Sequence, residues 1–427
     1  MQRRQFVSAL GGGAALGMTS MLQGCASGSS ANAAKVVVIG GGYGGATAAK
    51  YLRMWSDYGV QVTLIEPSPS FISCPISNLV LSGAKKISDI TTPYDNLVSR
   101  HGVQMIRDMV VSIDPEKRIV KLAGGGELPY DRLIVSPGVD FMWETLPGMN
   151  KPDARDKVLH AWKAGAQTVA LRKQLEDMPD GGVYALSIPL APYRCPPGPY
   201  ERACQVASYF SKHKPKSKVL VLDANDDVTS KGPLFKKAWA ERYKGIVEYR
   251  PKHTATDVDA ATKTLQFEFN DSVKADVLNV IPNMRAGDIA VKTGLATANK
   301  RWCEVDFLTF ESKAAKNIHI LGDSIQIAPA MPKSGHMANQ HGKTCAAAVL
   351  ALLAGKAPND MPIYNNVCYS FVSEEDVVHV ASVHRYDAEK KTMLAVPNSG
   401  GVSSAANELE GRYAMGWAHN IWADTLA

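Results

Sequence analysis

The stretch "KVVVIGGGYGGATAAKYLRMW", residues 35–55, constrains the fold more than any other part of the chain. Val36–Ile39 is a β-branched run of the kind that a parallel strand buried on both faces requires. A glycine turn and a helix-like segment follow it. "VQVTLIEP", residues 60–67, then supplies a second strand that ends on an acid. Gly40, Gly42 and Gly45 match G-x-G-x-x-G, and Glu66 lies about twenty residues beyond, the spacing of a dinucleotide-binding unit. The glycines allow a tight turn and close backbone approach. The helix N-terminus offers free N–H groups and a positive dipole end to a pyrophosphate, and Glu66 can accept ribose hydroxyls.

Two later segments indicate which dinucleotide. "YDRLIVSPG", ending at Gly138, resembles the second strand-and-glycine motif of two-dinucleotide flavoproteins. "NIHILGDSIQIA", residues 317–328, resembles their late strand, whose Gly-Asp acid holds the flavin ribityl chain; that acid is Asp323 here. The resemblance implies FAD and an α/β, glutathione-reductase-like architecture. Residues 34–150 and 280–358 would form a split FAD-binding domain, residues 151–279 an inserted NAD-like domain, and residues 359–427 a C-terminal α+β interface domain. Val110 is assigned to the same cofactor-binding set. "MPKSGHMANQHGKTCAAAVLALLAG" reads as a helix starting near Lys333. Its N–H groups would either face the flavin pyrimidine, favouring the anionic reduced ring, or belong to a merely packed helix.

The inserted segment lacks a nucleotide loop. "SIPLAPYRCPPGPYERA" holds one glycine, and its prolines remove backbone donors and fix φ. A pyrophosphate cradle needs donors and room, so NAD(P)H is not expected to be the electron donor. "KVLVLDAN" still ends in an acid, Asp223. Pro199 suits the first turn of a helix beginning at Tyr200. Cys195 then lies just before a helix N-terminus and beside Arg194, a setting that favours thiolate. The alternative is a structural disulfide or an inert thiol.

Six cysteines follow Cys25: Cys74, Cys195, Cys204, Cys303, Cys345 and Cys368. None lies in C-x-x-C or C-x-x-C-H, so neither a thioredoxin-type motif nor covalent c-type haem is encoded. Cys204 and Cys345 fall in apolar helical patterns and read as small core residues. The histidines show no metal-ligand spacing. A net charge of +6 is spread along the chain without a basic run, which gives no footprint for nucleic acid. "MQRRQFVSAL" followed by "GGGAALGMTSML" reads as a twin-arginine export signal, with cleavage near Ala33 preferred over lipidation at Cys25 in "LQGC". No later stretch reaches the roughly 20 apolar residues of a membrane span. These features predict a periplasmic protein.

The chain resembles the flavoprotein subunit of flavocytochrome c sulfide dehydrogenase. "SCPISN", "HAWKAGAQT", "LRKQLEDM", "RCPPGPYERA", "MPKSG" and "CYSF" carry the resemblance over nearly the whole mature sequence. It implies that Cys195 and Cys368 form a redox-active disulfide over the flavin, a pairing that spacing alone does not select. It also implies a thioether from Cys74, in "FISCPISN", to the flavin 8α-methyl group. Sulfide or a persulfide would be the substrate. Electrons would leave singly for a c-type cytochrome subunit that carries the haem. Glu201 would either handle protons at the disulfide or favour the helix dipole. Trp417, in "GWAHN", would either cover the flavin or pack the core. Two other functions remain open: a sulfide:quinone oxidoreductase, with Trp417, Ile421 and Trp422 forming an apolar surface, and a flavin electron-transfer module without sulfur chemistry.

Overall fold

A computed structural model describes residues 33–427. Arg3, Arg4 and Cys25, on which the export and lipidation readings rest, lie outside the described residues.

Strand Lys35–Ile39 runs parallel between Gln61–Ile65 and Arg132–Val135. Val36, Val37, Val38 and Ile39 are all buried, as their unbroken apolar run requires. Gln104–Ile106 extends one edge of this five-stranded parallel sheet. Ile318–Ile320 completes the other, with Ile318 paired to Leu133. A sheet begun at residue 35 is therefore closed by a strand that arrives after about 180 intervening residues have built a second body.

That second body is a four-stranded parallel sheet, Val247–Arg250, Lys218–Asp223, Val183–Ile188 and Val277–Val280 in spatial order. Helix Gly198–His213 leaves its central strand through the proline turn. The helix begins at Gly198, two residues earlier than Tyr200, because its first helical bond runs from the Glu201 N–H to the Pro197 carbonyl (3.1 Å). Asp223 ends the neighbouring strand fully buried. Its Oδ2 accepts from the hydroxyls of Tyr200 (2.8 Å) and Tyr249 (3.0 Å), and its Oδ1 from the backbone and side-chain N–H of Asn225. The carboxylate that could face a ribose is thus engaged within the protein.

The C-terminal unit pairs Ile363–Phe371 antiparallel with Val377–Asp387, adds Thr392–Ala395 and Gly401–Val402, and ends in helix Glu408–Leu426. Asn407 caps that helix by accepting from the Glu410 N–H (2.9 Å). Trp422 and Ile421 are buried, and the Trp422 indole donates to the Tyr43 hydroxyl (3.1 Å). Two of the three residues expected to form an apolar outer surface therefore point inward. No helix among the described residues is long and apolar enough to cross a membrane.

Candidate flavin and sulfur site

A cavity of ≈ 370 Å³ opens where the first sheet's strands end. Gly40, Ser136–Gly138 and Gly322–Asp323, which follow three parallel strands, line it together. This is where open α/β sheets bind ligands.

Gly40 has φ +94°, a left-handed conformation that glycine adopts without strain. A Cβ on Gly45 would lie 1.9 Å from the Gly40 carbonyl oxygen, so Gly45 permits the turn to pack without itself reaching the cavity. Gly42 faces the cavity, and a Cβ there would meet no atom within 4 Å. It precedes helix Tyr43–Trp55, which has no side-chain cap, leaving its first N–H groups available to an anion. Glu66 also lines the cavity. Its oxygens accept from the Gly41 N–H (2.7 Å) and the Ser68 N–H (2.8 Å), which ties the acid to the turn. Asp323 has a buried Oδ1 with no partner among the described residues. Burial pushes its carboxyl pKa up, opposed by Arg194 and Lys333. An uncapped helix, an open glycine face and an orphaned carboxylate oxygen around one cavity fit a dinucleotide with a polyhydroxyl chain.

The other expected groups enter from three parts of the chain. Cys74 reaches the cavity from the loop after Ser70–Ile72, and its Sγ accepts from the Ala164 N–H at 3.4 Å. Cys195 comes from the proline turn and Cys368 from strand Ile363–Phe371, opposite Val380. The three sulfurs are unbridged and half-buried. Cys195 holds φ +58°, unusual for a residue with a Cβ. Its N–H donates to the Lys333 carbonyl (2.8 Å) and its carbonyl accepts from Gly198. A Cβ on Gly198 would sit 2.8 Å from the Cys195 sulfur, so this glycine leaves the sulfur its space.

Arg194 favours the Cys195 thiolate as expected, but burial outweighs it and the helix start adds nothing. Enclosure pushes the Cys195 thiol well above the ordinary range, and Cys368 and Glu201 push it further. Arg194 and Lys231 act in the opposite sense without compensating. The helix N–H groups do not help, because Gly198 donates to the Cys195 carbonyl rather than its sulfur. Arg194 faces Cys74, Asp323 and Cys195 together; their charges outweigh burial and raise its own pKa.

Glu201 is buried and lines the cavity. Oε2 accepts from Asn78 Nδ2 (2.8 Å) and Oε1 from the Phe371 N–H (2.8 Å). It joins the Cys74 loop region to the Cys368 strand, and burial raises its pKa. Glu201→Ala strands two buried donors and should lower unfolding free energy by about 2–4 kcal/mol. Urea denaturation monitored by tryptophan fluorescence would show the loss; an unchanged midpoint would mean that water replaces both bonds.

Trp417 lines the cavity with a buried, unpartnered indole N–H, its ring near His336 and Tyr369. On its far side a groove of ≈ 530 Å³ shares those three residues and adds Lys343, Arg412 and Tyr413. Two expected cofactor residues lie elsewhere. Val110 starts strand Val110–Asp114 in a separate antiparallel sheet, away from the cavity lining. Lys333 turns away: its ammonium donates to the carbonyls of Asp323 (2.8 Å) and Ile325 (2.6 Å) and lies 3.6 Å from the Trp302 ring centre. The helix expected near Lys333 begins at Gly335, capped by Ser334, whose hydroxyl accepts from the Met337 N–H (3.0 Å). Ser334, Gly335 and His336 line the cavity in its place.

Sequence reasoning missed Lys231, Arg202 and Trp162. Arg202 is buried and donates to Asn78, Asn279 and the carbonyls of His160 and Ala161, with its guanidinium over the Trp162 ring. "HAWKAG" and "YERA" were visible as separate motifs; that they form one knot was not.

Comparison with known proteins agrees with this geometry. Residues 34–178 match the pyridine nucleotide-disulphide oxidoreductase family model. Residues 168–282 match "Sulfide dehydrogenase [flavocytochrome c] flavoprotein chain, central", and residues 360–426 match "Flavocytochrome c sulphide dehydrogenase, flavin-binding". A sulfide dehydrogenase [flavocytochrome c] flavoprotein chain from Chlorobaculum thiosulfatiphilum is 56% identical over 46 residues, 11% of this chain and 94% of that sequence. The mitochondrial sulfide:quinone oxidoreductase of Dictyostelium discoideum is 25% identical over 307 residues, covering 69% of this chain; the match spans 66% of that protein's length, just under two thirds. The solved sulfide:quinone oxidoreductase of Aquifex aeolicus superposes with a TM-score of 0.74 at 18% identity, over 92% of each chain, which shows a shared fold.

Proposed function

Because the chain belongs to the flavocytochrome c sulfide dehydrogenase flavoprotein family, we propose that it oxidises sulfide, or a persulfide, through a Cys195–Cys368 disulfide and FAD, and delivers electrons to a c-type cytochrome partner. The observation that carries this reading is the meeting of Cys74, Cys195 and Cys368 in one cavity with the glycine turn, Glu66 and Asp323.

FAD would be held by the free N–H groups after Gly42, by Glu66 at the ribose, by Asp323 at the ribityl chain and by a thioether from Cys74. Bound there, it supplies a two-electron acceptor able to release electrons one at a time. The chain's own residues perform the sulfur chemistry. Hydrosulfide attacks one sulfur of the disulfide, a new S–S bond forms, and the other cysteine leaves as thiolate. Arg194 offers positive charge beside Cys195 and Cys74. Glu201, buried and shifted towards its protonated form, is placed to hold a proton at this step. A second hydrosulfide takes the outer sulfur as product and leaves Cys195 as a thiolate; re-forming the Cys195–Cys368 bond then releases two electrons, which bound FAD would accept. The proline turn and the internally satisfied Asp223 argue against a nicotinamide donor.

The groove behind Trp417, with Lys343 and Arg412, is the surface we assign to the cytochrome. The inward packing of Ile421 and Trp422 weighs against a quinone acceptor at a membrane. We assign the protein to the periplasm on its twin-arginine segment.

The test is anaerobic addition of sulfide to the purified protein, followed by addition of a cytochrome c or a short-chain quinone. Flavin bleaching on sulfide, with reoxidation by cytochrome and not by quinone, is expected. Bleaching relieved by quinone alone would favour the quinone-linked reading, and no bleaching in folded, flavin-loaded protein would leave an electron-transfer module.

A further inference from the structure

Lys231 has no role in the chemistry described so far, and its surroundings are unusual. It precedes helix Gly232–Glu241 with φ +56° and sends its side chain out of the second body into the C-terminal sheet. The residue is 7% exposed. Its ammonium donates to the Cys368 carbonyl (2.8 Å), the Ser370 hydroxyl (2.7 Å) and the Val378 carbonyl (3.3 Å). All three donors of an ammonium are thus used, and all three acceptors are neutral. No carboxylate forms a salt bridge with it among the described residues. A buried cation matched only by neutral dipoles carries a large desolvation cost, which a nearby anion would offset.

The titratable groups facing it are few. Cys368 is the first, on the strand it binds; Glu201 comes from helix Gly198–His213, Cys195 from the proline turn and Glu410 from the last helix. Glu201 is already bound to Asn78 and Phe371, and Glu410 to Ser403 and His379. The Phe235 ring lies 5.8 Å from the ammonium. Of the titratable groups, Cys368 is the strongest influence and lies on the strand the ammonium binds, and its charge is the one that changes when the Cys195–Cys368 bond opens towards it. Burial pushes the Lys231 ammonium down to about 8, and burial pushes the Cys368 thiol up, with Lys231 the first influence opposing that rise.

We propose that Lys231 is a positioning residue that receives the Cys368 thiolate when the Cys195–Cys368 bond opens, and so directs hydrosulfide to Cys195. This rests on the sulfide-oxidising reading above. In the step, a lone pair of hydrosulfide forms the new bond to the Cys195 sulfur. The Cys195–Cys368 bond breaks with both its electrons leaving on Cys368. The products are a Cys195 persulfide and a Cys368 thiolate, and no further oxidant is required. Leaving-group stability sets which sulfur is attacked, since the lower-pKa thiol departs faster. Arg194 faces Cys195 and Cys74, whereas Lys231 holds the strand of Cys368 itself.

The experiment maps iodoacetamide labelling of Cys368 against pH in the reduced, flavin-containing protein, by peptide mass, for wild type, Lys231→Met, Lys231→Gln and Lys231→Arg. Lys231→Met should raise the midpoint of Cys368 alkylation by about one pH unit, a roughly tenfold slower reaction at neutral pH, and Lys231→Arg should restore it. The same shift should appear as a slower sulfide-driven opening of the disulfide. If Lys231→Met loses its flavin, Lys231→Gln, which keeps a donor without the charge, is read instead. An unmoved Cys368 midpoint in a charge-removed variant that retains flavin would overturn the role of Lys231 and leave the sulfide reading standing. A non-reducing peptide map of wild type without a Cys195–Cys368 bridge would overturn both.

Discussion

Cys195→Ser will abolish sulfide-driven flavin reduction while leaving FAD bound. In the proposed mechanism a serine cannot form the disulfide that hydrosulfide would attack, and removal of a covalent catalyst costs on the order of 10⁴-fold or more. The rest of the turn survives. Its anchors are backbone bonds, from the Cys195 N–H to Lys333 and from Gly198 to the Cys195 carbonyl, which do not involve the sulfur. Stopped-flow absorbance after anaerobic mixing with sulfide measures the effect. A variant bleaching at the wild-type rate would remove the disulfide from the mechanism and leave Cys195 and Cys368 as neighbours without redox work.

Cys74→Ala will convert a retained flavin into a releasable one. The wild-type protein precipitated with acid should keep its yellow colour in the pellet; the variant should lose essentially all of it to the supernatant. The noncovalent site remains, since the glycine turn, Glu66 and Asp323 lie on other segments. Structural damage should be slight, because the sulfur accepts only one long bond, from the Ala164 N–H at 3.4 Å. Loss of the proposed tether should also slow bleaching, since such an attachment would raise the flavin potential. Colour retained in the variant's pellet would place the covalent link on another side chain.

The two outcomes would separate the site's proposed functions, one residue addressing sulfur and the other the cofactor. A double variant should bleach no faster than Cys195→Ser and release flavin as Cys74→Ala does, with no coupling beyond that sum.

Features that depend on neighbouring residues could be read from the chain. The buried strand, the glycine turn and Glu66 follow from local spacing, and the structure puts them where that spacing implies. Asp323 was readable because its strand and Gly-Asp turn are contiguous. Features that depend on packing between distant segments could not be read. Arg194 and a helix start beside Cys195 suggest an easily ionised thiol, but enclosure by Cys368, Glu201 and the cavity walls outweighs both. Lys333 stands two residues before a helix that does line the cavity, yet Trp302 and the carbonyls of Asp323 and Ile325 draw its side chain away. Lys231 carries no local signal at all: only a left-handed backbone and a long reach bring it to the Cys368 strand. Val110, in an outlying antiparallel sheet, shows how membership of a domain can be mistaken for membership of its site.

The scatter of the cavity's walls along the chain sets the order in which the protein can be made functional. From Gly40 to Trp417 those walls span 378 positions, and each of the three bodies contributes one sulfur. A growing polypeptide that has emerged only as far as the second sheet already possesses the glycine turn and Cys74, but neither Cys368 nor Trp417. Such a precursor can sample the nucleotide, yet it cannot enclose it. Permanent capture through the proposed Cys74 link would therefore belong to the end of maturation, after the long-range contacts have closed. A yellow, acid-stable chain would then certify that all three bodies have docked, an inspection mark applied by the cofactor itself.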